Sequence, residues 1–533
     1  MLQVPALRPV RLIRAFALLA LAFLGLLASA APLQAQGLSK TVYRDQVNGF
    51  SFRPPSKMMI VPSKEDWLEK GLMCRMDDEE GEGVFVYVYC FTDQTVWEVF
   101  DEDKREWKKE HKRPEIGEAL GKYLKGDFKN KDVREEKEIK VGGNVGTFRL
   151  WRSGGNYIET YSFLTPSEDI HIAYIMTRGV ENSKAGKKWA SVFTKSGRSF
   201  EREERMGAVD LESMTYDELL KYHKEADKQF TDWRVLGTPG EQFIIKTSSK
   251  RGAFIKNVIT RLEASRKLFE QDFPPDTFGM KMTAISVVRV CGTEEEFHRY
   301  GDTPRGVGGW FNPKSEELVL YCGEKDKEED AATNAVMSHE AFHQYCHFLF
   351  KQSEAHRWFD EGHGDYYAVA NWFQGKAYVG TEAPGGYNRL PIIKSLIEDG
   401  RTVALADHLN FTHGEWQYRG VESYSQSWSI IYMLRQGALG KVPSEYWKDE
   451  YADIIPNYMN ALLKGYADEY ERIKKERSKG KDGEEVSAVQ TLTREDLDME
   501  ARNRVWKKAM DASWGKIDLD EFERRWLAYV PTL

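Results

Sequence analysis

A chain of 533 residues exceeds one ordinary hydrophobic core and predicts two or three domains. With 41% hydrophobic and 13% aromatic residues it has ample apolar surface to bury, which excludes global disorder. The formal charge of −8 offers no basic field to a polyphosphate backbone, and clusters such as that between Lys184 and Lys188 are short, so nucleic acid is excluded as an expected partner.

At the N-terminus, Arg8, Arg11 and Arg14 precede an apolar run from Ala15 to Ala28, followed by the small residues Ser29, Ala30 and Ala31. This is the layout of a secretory signal peptide over residues 1–36, and cleavage after Ala30 or after Ala35 satisfies a small-residue peptidase pocket. An uncleaved anchor is the alternative, but the run is short for ~30 Å of hydrocarbon at about 1.5 Å per residue. The expectation is a secreted or periplasmic protein with no stable membrane span after cleavage.

Residues 37–205 alternate strand-like runs with turn signals: Phe50 to Arg53, Val84 to Tyr89, Gly146 to Leu150, Tyr157 to Phe163 and Ile170 to Met176. Period-two alternation predicts an antiparallel sheet. Charged stretches from Thr95 to His111 and from Ser183 to Phe193 are expected as helices packed on it. The opening Gly-Phe-Ser-Phe-Arg-Pro-Pro from Gly49, with the closing helix and strand, resembles the small PsbP-like sandwich domains of exported proteins. No catalytic constellation stands out there, so a binding or packing module is expected.

Residues 206–234 read as a connecting helix, with Leu211, Leu219, Leu220, Tyr222 and Phe230 at partly helical spacing. A further domain over 235–380 opens with a strand (Phe243 to Lys246), a helix (Ala253 to Phe273) and a strand (Lys281 to Val290). Residues 381–533 are predicted to be mostly helical, with an exposed loop from Glu476 to Gln490. Five cysteines with no CxxC pair form no disulfide framework; Cys74–Cys90 and Cys291–Cys322 pairings and buried free thiols are both open.

The segment that carries chemistry is His339-Glu340-Ala341-Phe342-His343. Residues four apart share one helical face, so the two imidazoles present to one point and Glu340 reaches the same place. Ala335, Phe342, Cys346 and Leu349 form an apolar stripe beside them, which predicts a helix bordering the core. A catalytic metal needs a third protein ligand, and Trp358-Phe359-Asp360-Glu361-Gly362-His363-Gly364-Asp365 follows about eighteen residues on. Glu361 is the expected ligand, with Asp360, His356 and His363 as rivals. His347 sits a further turn along the same helix, about 6 Å from His343, too far to converge. Cys346 and Leu349 stand where a metzincin places its Gly and third His, which excludes that class.

HEAFHQ followed by WFDEG resembles the gluzincin metallopeptidases, and among them the peptidase MA-like proteins of secreted bacterial chains. The resemblance implies Zn2+ held by His339, His343 and Glu361, with Glu340 as general base. It further implies that Asp365 orients a histidine ligand and that Tyr424 donates to the developing oxyanion. Gly308, Gly309 and Trp310 are expected on an edge strand that binds substrate backbone. The implied fold class is α+β: an N-terminal antiparallel sheet-and-helix sandwich, a zincin-like domain of mixed sheet plus active-site helix, and a helical C-terminal subdomain. The expected reaction is hydrolysis of a peptide or protein substrate outside the cytoplasm. No acidic amine-binding motif precedes the HEAFH helix, which favours an endopeptidase. The competing class is a non-catalytic exported interaction protein with a structural or vestigial zinc site.

Overall fold

The computed structural model describes residues 37–533 apart from 64, 80, 102–105, 124–132, 154, 206–210, 229–231, 279–283, 302, 314, 324–326, 351–353, 374–375, 383–387 and 479–496. The expected signal segment lies outside the described residues. The chain divides into two compact units, up to residue 207 and from 208 on.

In the first unit, strands β1 (Tyr43–Asp45), β2 (Phe50–Phe52) and β12 (Glu201–Arg202) form a small sheet. The main sheet is antiparallel, in the order β3 (Met58–Pro62), β4 (Leu72–Asp78), β5 (Val84–Phe91), β11 (Asp169–Met176), β10 (Asn156–Leu164), β9 (Asn144–Ser153), β8 (Val133–Val141). The run Val-Phe-Val-Tyr-Val-Tyr-Cys-Phe of β5 has apolar residues at both parities because both faces are covered. Val84, Val86, Val88 and Cys90 pack with Trp189 and Phe193. Phe85, Tyr87, Tyr89 and Phe91 face Ile116, Ala119 and Leu120. Short helices α1 (Glu65–Glu69) and α2 (Ile116–Tyr123) and the longer α3 (Lys184–Gly197) accompany the strands. The last starts where Ser183 caps it, accepting from the N–H of Gly186.

One expectation fails here. The stretch from Thr95 to His111 is not a helix but a hairpin of β6 (Val96–Asp101) and β7 (Glu106–His111). Val96, Trp97, Val99 and Phe100 are strand formers, and Glu98 opposes Lys109 across the pair, so the charges belong to a wet face of a ribbon.

The second unit begins with α4 (Tyr216–Ala226), closed by a reciprocal Thr215–Glu218 capping box. Its five-stranded sheet runs β13 (Arg234–Gly237), β14 (Phe243–Thr247), β15 (Ser286–Cys291), β17 (Glu317–Tyr321), β16 (Gly309–Asn312). The three central strands are parallel and the two edges antiparallel. Helix α5 (Gly252–Asp272) crosses between β14 and β15, and α6 (Glu294–Gly301) follows β15. Then come the long α7 (Lys327–Phe350) and α8 (Arg357–Ala368), and a β18–β19 hairpin (Ala370–Phe373, Lys376–Val379). Helices α9 (Leu390–Glu398), α10 (Leu405–His408), α11 (His413–Arg419), α12 (Val421–Ala438), α13 (Ile454–Ser478), α14 (Met499–Ala512) and α15 (Leu519–Tyr529) complete the chain. Glu476 to Ser478, expected in a loop, end α13; the rest of that stretch lies outside the described residues.

The fold is thus α+β, with a sheet-built N-terminal unit and a mostly helical C-terminal region. Phe342, Phe359, Trp428, Tyr458 and Trp526 share one core with Ile245 and Leu318 of the sheet, so residues beyond 380 are packed onto the sheet's own core. All five cysteines are free and buried. Among the described residues no helix is long and apolar enough to cross a membrane.

Candidate metal centre

Helix α7 is uninterrupted by Gly or Pro, and Met337, Ala341, Phe342, Tyr345 and Leu349 anchor one side of it in the core. The opposite side carries His339, Glu340, His343 and His347 towards β16 and α8. Helix α8 lies close against α7 because Gly364 has no side chain: a Cβ there would fall 2.8 Å from the His339 ring. Gly362 does the same towards α12, where a Cβ would meet Ile431 at 2.8 Å.

This close approach brings three groups together. The Nδ1–H of His339 donates to Asp365 Oδ1 at 3.0 Å, and the Nδ1–H of His343 donates to Asp360 Oδ1 at 3.0 Å. Because a carboxylate only accepts, these bonds place the proton on Nδ1 and turn each Nε2 towards Glu361. Glu361 Oε2 stands 3.3 Å from His339 Nε2 and 3.6 Å from His343 Nε2. One ligand atom from each of the three residues lies within 4.8 Å of the others. The remaining oxygen of Glu361 accepts from Arg357 at 3.0 Å, and Arg389 holds Asp365 at 2.6 Å.

The electrostatics follow from this packing. Burial works against a charged His339, yet its hydrogen bonds to Asp365 and Glu361 prevail and raise it to about 9. His343 is likewise raised, against burial, by Asp360 and Glu361. Burial alone would raise the Glu361 carboxyl, but the two imidazoles hold it well below the usual carboxylate range. Two oriented imidazole nitrogens and one carboxylate oxygen, closed on one side and facing a cavity on the other, are a donor set that fits a divalent ion such as zinc.

The cavity has a volume of about 330 Å³ and is lined by Glu340, Tyr424, His347, Phe311, Phe350 and Asp360 among others. Burial, then the Glu361 charge, raises the Tyr424 phenol, and the Arg389 guanidinium sits 5.2 Å from its ring centre. Glu340 Oε2 accepts from the backbone N–H of Phe311 at 3.0 Å. Gly308 and Gly309 lie at the start of the edge strand β16, against Val336. Trp310 lines the cavity as well, and its ring stacks on Tyr300, 6.0 Å between centres and 8° between planes. It is Phe311 whose ring meets His347, at 5.3 Å.

The rival ligands are engaged elsewhere. The Nδ1–H of His363 donates to the Phe359 carbonyl at 2.7 Å and its Nε2 accepts from Arg435 at 3.2 Å. His356 donates through Nε2 to the Phe411 carbonyl at 3.0 Å. His347 pairs with Glu316 at 3.0 Å. Asp360 serves His343 rather than joining the three. Sequence reasoning missed that role, and with it Arg357, Arg389 and Phe311. The i, i+4 spacing of Arg357 and Glu361 was the one local signal available.

No family model matches this chain, and no curated protein does. Among solved structures, the solution structure of cyanobacterial PsbP (CyanoP) from Synechocystis sp. PCC 6803 is similar at 12% identity, over 33% of this chain and 97% of that one, with a TM-score of 0.22. A crystal structure from Bacteroides thetaiotaomicron VPI-5482 is similar at 10% identity, over 64% of this chain and 88% of that one, with a TM-score of 0.20. Neither likeness bears on the chemistry.

Proposed function

We propose that the chain is a zinc-dependent peptidase of gluzincin type, acting outside the cytoplasm. The observation that carries this reading is the convergence of His339, His343 and Glu361 within 4.8 Å, in a cavity that Glu340 also lines. A purely structural zinc has no need of an open side or of a carboxylate beside its first histidine.

His339, His343 and Glu361 would hold the ion, which when bound supplies Lewis acidity, polarising a carbonyl and acidifying water. The work of the chain's own groups is separate. Glu340 takes a proton from the attacking water and returns it to the leaving amine, as its position on the cavity wall allows. Tyr424, kept protonated, donates to the oxygen on which charge develops. Asp365 and Asp360 keep the two imidazoles turned, and Arg389 keeps Asp365 in place. Phe311, through its N–H, orients Glu340.

The test is direct. The purified chain is assayed for bound metal and for cleavage of a peptide library, with and without a chelator. Zinc at one per chain and chelator-sensitive cleavage are expected; a chain that binds no zinc ends the proposal.

A further inference from the structure

A second cavity, of about 580 Å³, lies in the same unit one helical turn upstream of Glu340, and nothing above uses it. Ala332, Thr333 and Val336 of α7, Thr293 to Glu295 at the start of α6, Tyr321 to Gly323 at the end of β17, Arg305 and Gly308 line it. At the candidate metal centre the wall beyond His343 is built from Phe311, Pro313, Cys346, Phe350 and Ala355.

Strand β16 runs beside α7, with Gly308 and Gly309 against Val336 and Phe311 against Glu340 and His347. A Cβ on Gly309 would fall 2.7 Å from Val336 Cγ1, and one on Gly308 would fall 3.2 Å from Val336 Cγ2. The bare backbone of the glycine pair therefore occupies the step between the cavities, where any side chain would crowd the helix. From Val336 to Glu340 the helix advances about 6 Å. An extended chain covers that in roughly two residues at ~3.3 Å each.

We propose that this second cavity is a substrate subsite that takes a polar side chain two or three residues from the cleaved bond, while the Phe350 wall takes an apolar side chain on the other side of that bond. The proposal rests on the peptidase reading. Carboxylates of Glu294 and Glu295 and the guanidinium of Arg305 border the cavity together with the hydroxyls of Thr293 and Thr333. Arg305 stays largely exposed and stands 3.5 Å from Glu294. An apolar side chain there would strip these charged groups and hydroxyls of water, whereas a polar one replaces the lost hydrogen bonds. The substrate class is thus an extended peptide continuing on both sides of the cleaved bond.

The experiment uses the full zinc-loaded chain and fluorogenic peptides lengthened one residue at a time on each side. We expect kcat/KM to rise about tenfold when the chain reaches the second cavity with a polar residue. Arg305→Glu, a change at an exposed position, raises the preference for Lys over Glu at that residue about fivefold. Rates independent of length, with cleavage intact, overturn the subsite and leave the peptidase reading standing. If no peptide is cleaved, that reading fails, and crosslinking decides the subsite on its own. A peptide with benzoylphenylalanine three residues from its centre, photolysed on the E340Q chain, gives adducts at residues 293–308 or 332–336 if the subsite exists; adducts confined elsewhere overturn it.

Discussion

Asp360 accepts from Nδ1 of His343 at 3.0 Å, the same distance at which Asp365 accepts from Nδ1 of His339. Each imidazole is therefore fixed by its own carboxylate, from two positions on α8 that flank Glu361. Replacing Asp360 with Ala frees His343 to rotate. The expected result is a loss of roughly 10–100-fold in zinc affinity, read by competition with a chromogenic chelator. Asp360→Asn, which still accepts through its amide oxygen, restores most of it.

Gly364→Ala tests the approach of the two helices. The new methyl would stand 2.8 Å from the His339 ring, and the ring or α8 has to move. Metal affinity is expected to fall about tenfold or more. The far-ultraviolet circular dichroism stays that of the parent, since the residue is mid-helix and Ala favours helix. Parental zinc affinity in this variant would show that the contact is softer than described.

Glu340→Gln keeps shape and removes the base. On the proposed mechanism zinc content is retained while hydrolysis falls about 10²–10⁴-fold, the contribution of a positioned general acid–base. Tyr424→Phe acts differently: kcat falls roughly 100-fold with KM within about twofold, because the lost donor serves only the developing charge. Steady-state kinetics on one peptide separates the two patterns.

The first unit carries a pH dependence of its own. His171 is buried on β11, with Nδ1 2.8 Å from Ser162 Oγ. Burial, then the nearby Arg149 charge, lowers it from 6.5 to about 3. A depressed histidine contributes stability that is fully present above pH 6.5 and lost as pH falls through that value towards 3. Within that window the fold forfeits up to about 1.4 kcal/mol per pH unit for this proton. His171→Leu should flatten the acid limb of denaturant unfolding followed at the tryptophans of this unit. An unchanged slope would mean the ring titrates normally.

How far the sequence could reveal this depends on range along the chain. The pairing of His339 with His343 was legible because helical periodicity puts residues four apart on one face. The α+β class was legible because strand alternation and helical stripes are local. The hairpin at 96–111 was not, since a ribbon with Glu98 opposite Lys109 shows the same charge density as an exposed helix. Nor were the groups that hold the cluster: Asp360 and Arg389 meet their targets across 17 and 24 residues, which only packing decides. The ring of His363 illustrates the same limit: its position in the chain suggests the site, while its bonds to Arg435 and to the Phe359 carbonyl turn it elsewhere.

The arginines at the cluster have a consequence for valence. Glu340, Asp360, Glu361 and Asp365 bring four carboxylates, and Arg357 and Arg389 bring two guanidinium groups, among the described residues around it. Glu354, farther along the same cavity, is offset by Arg502 at 3.2 Å. With both imidazoles neutral, as metal ligation requires, formal charge is left two negative. A doubly charged guest would bring this spot to neutrality, a singly charged one would leave it anionic, and a triply charged one would overshoot. Such imbalance is costly beside the fully enclosed Asp365, so on the proposed reading the two arginines would bias the pocket towards a doubly charged ion without touching it.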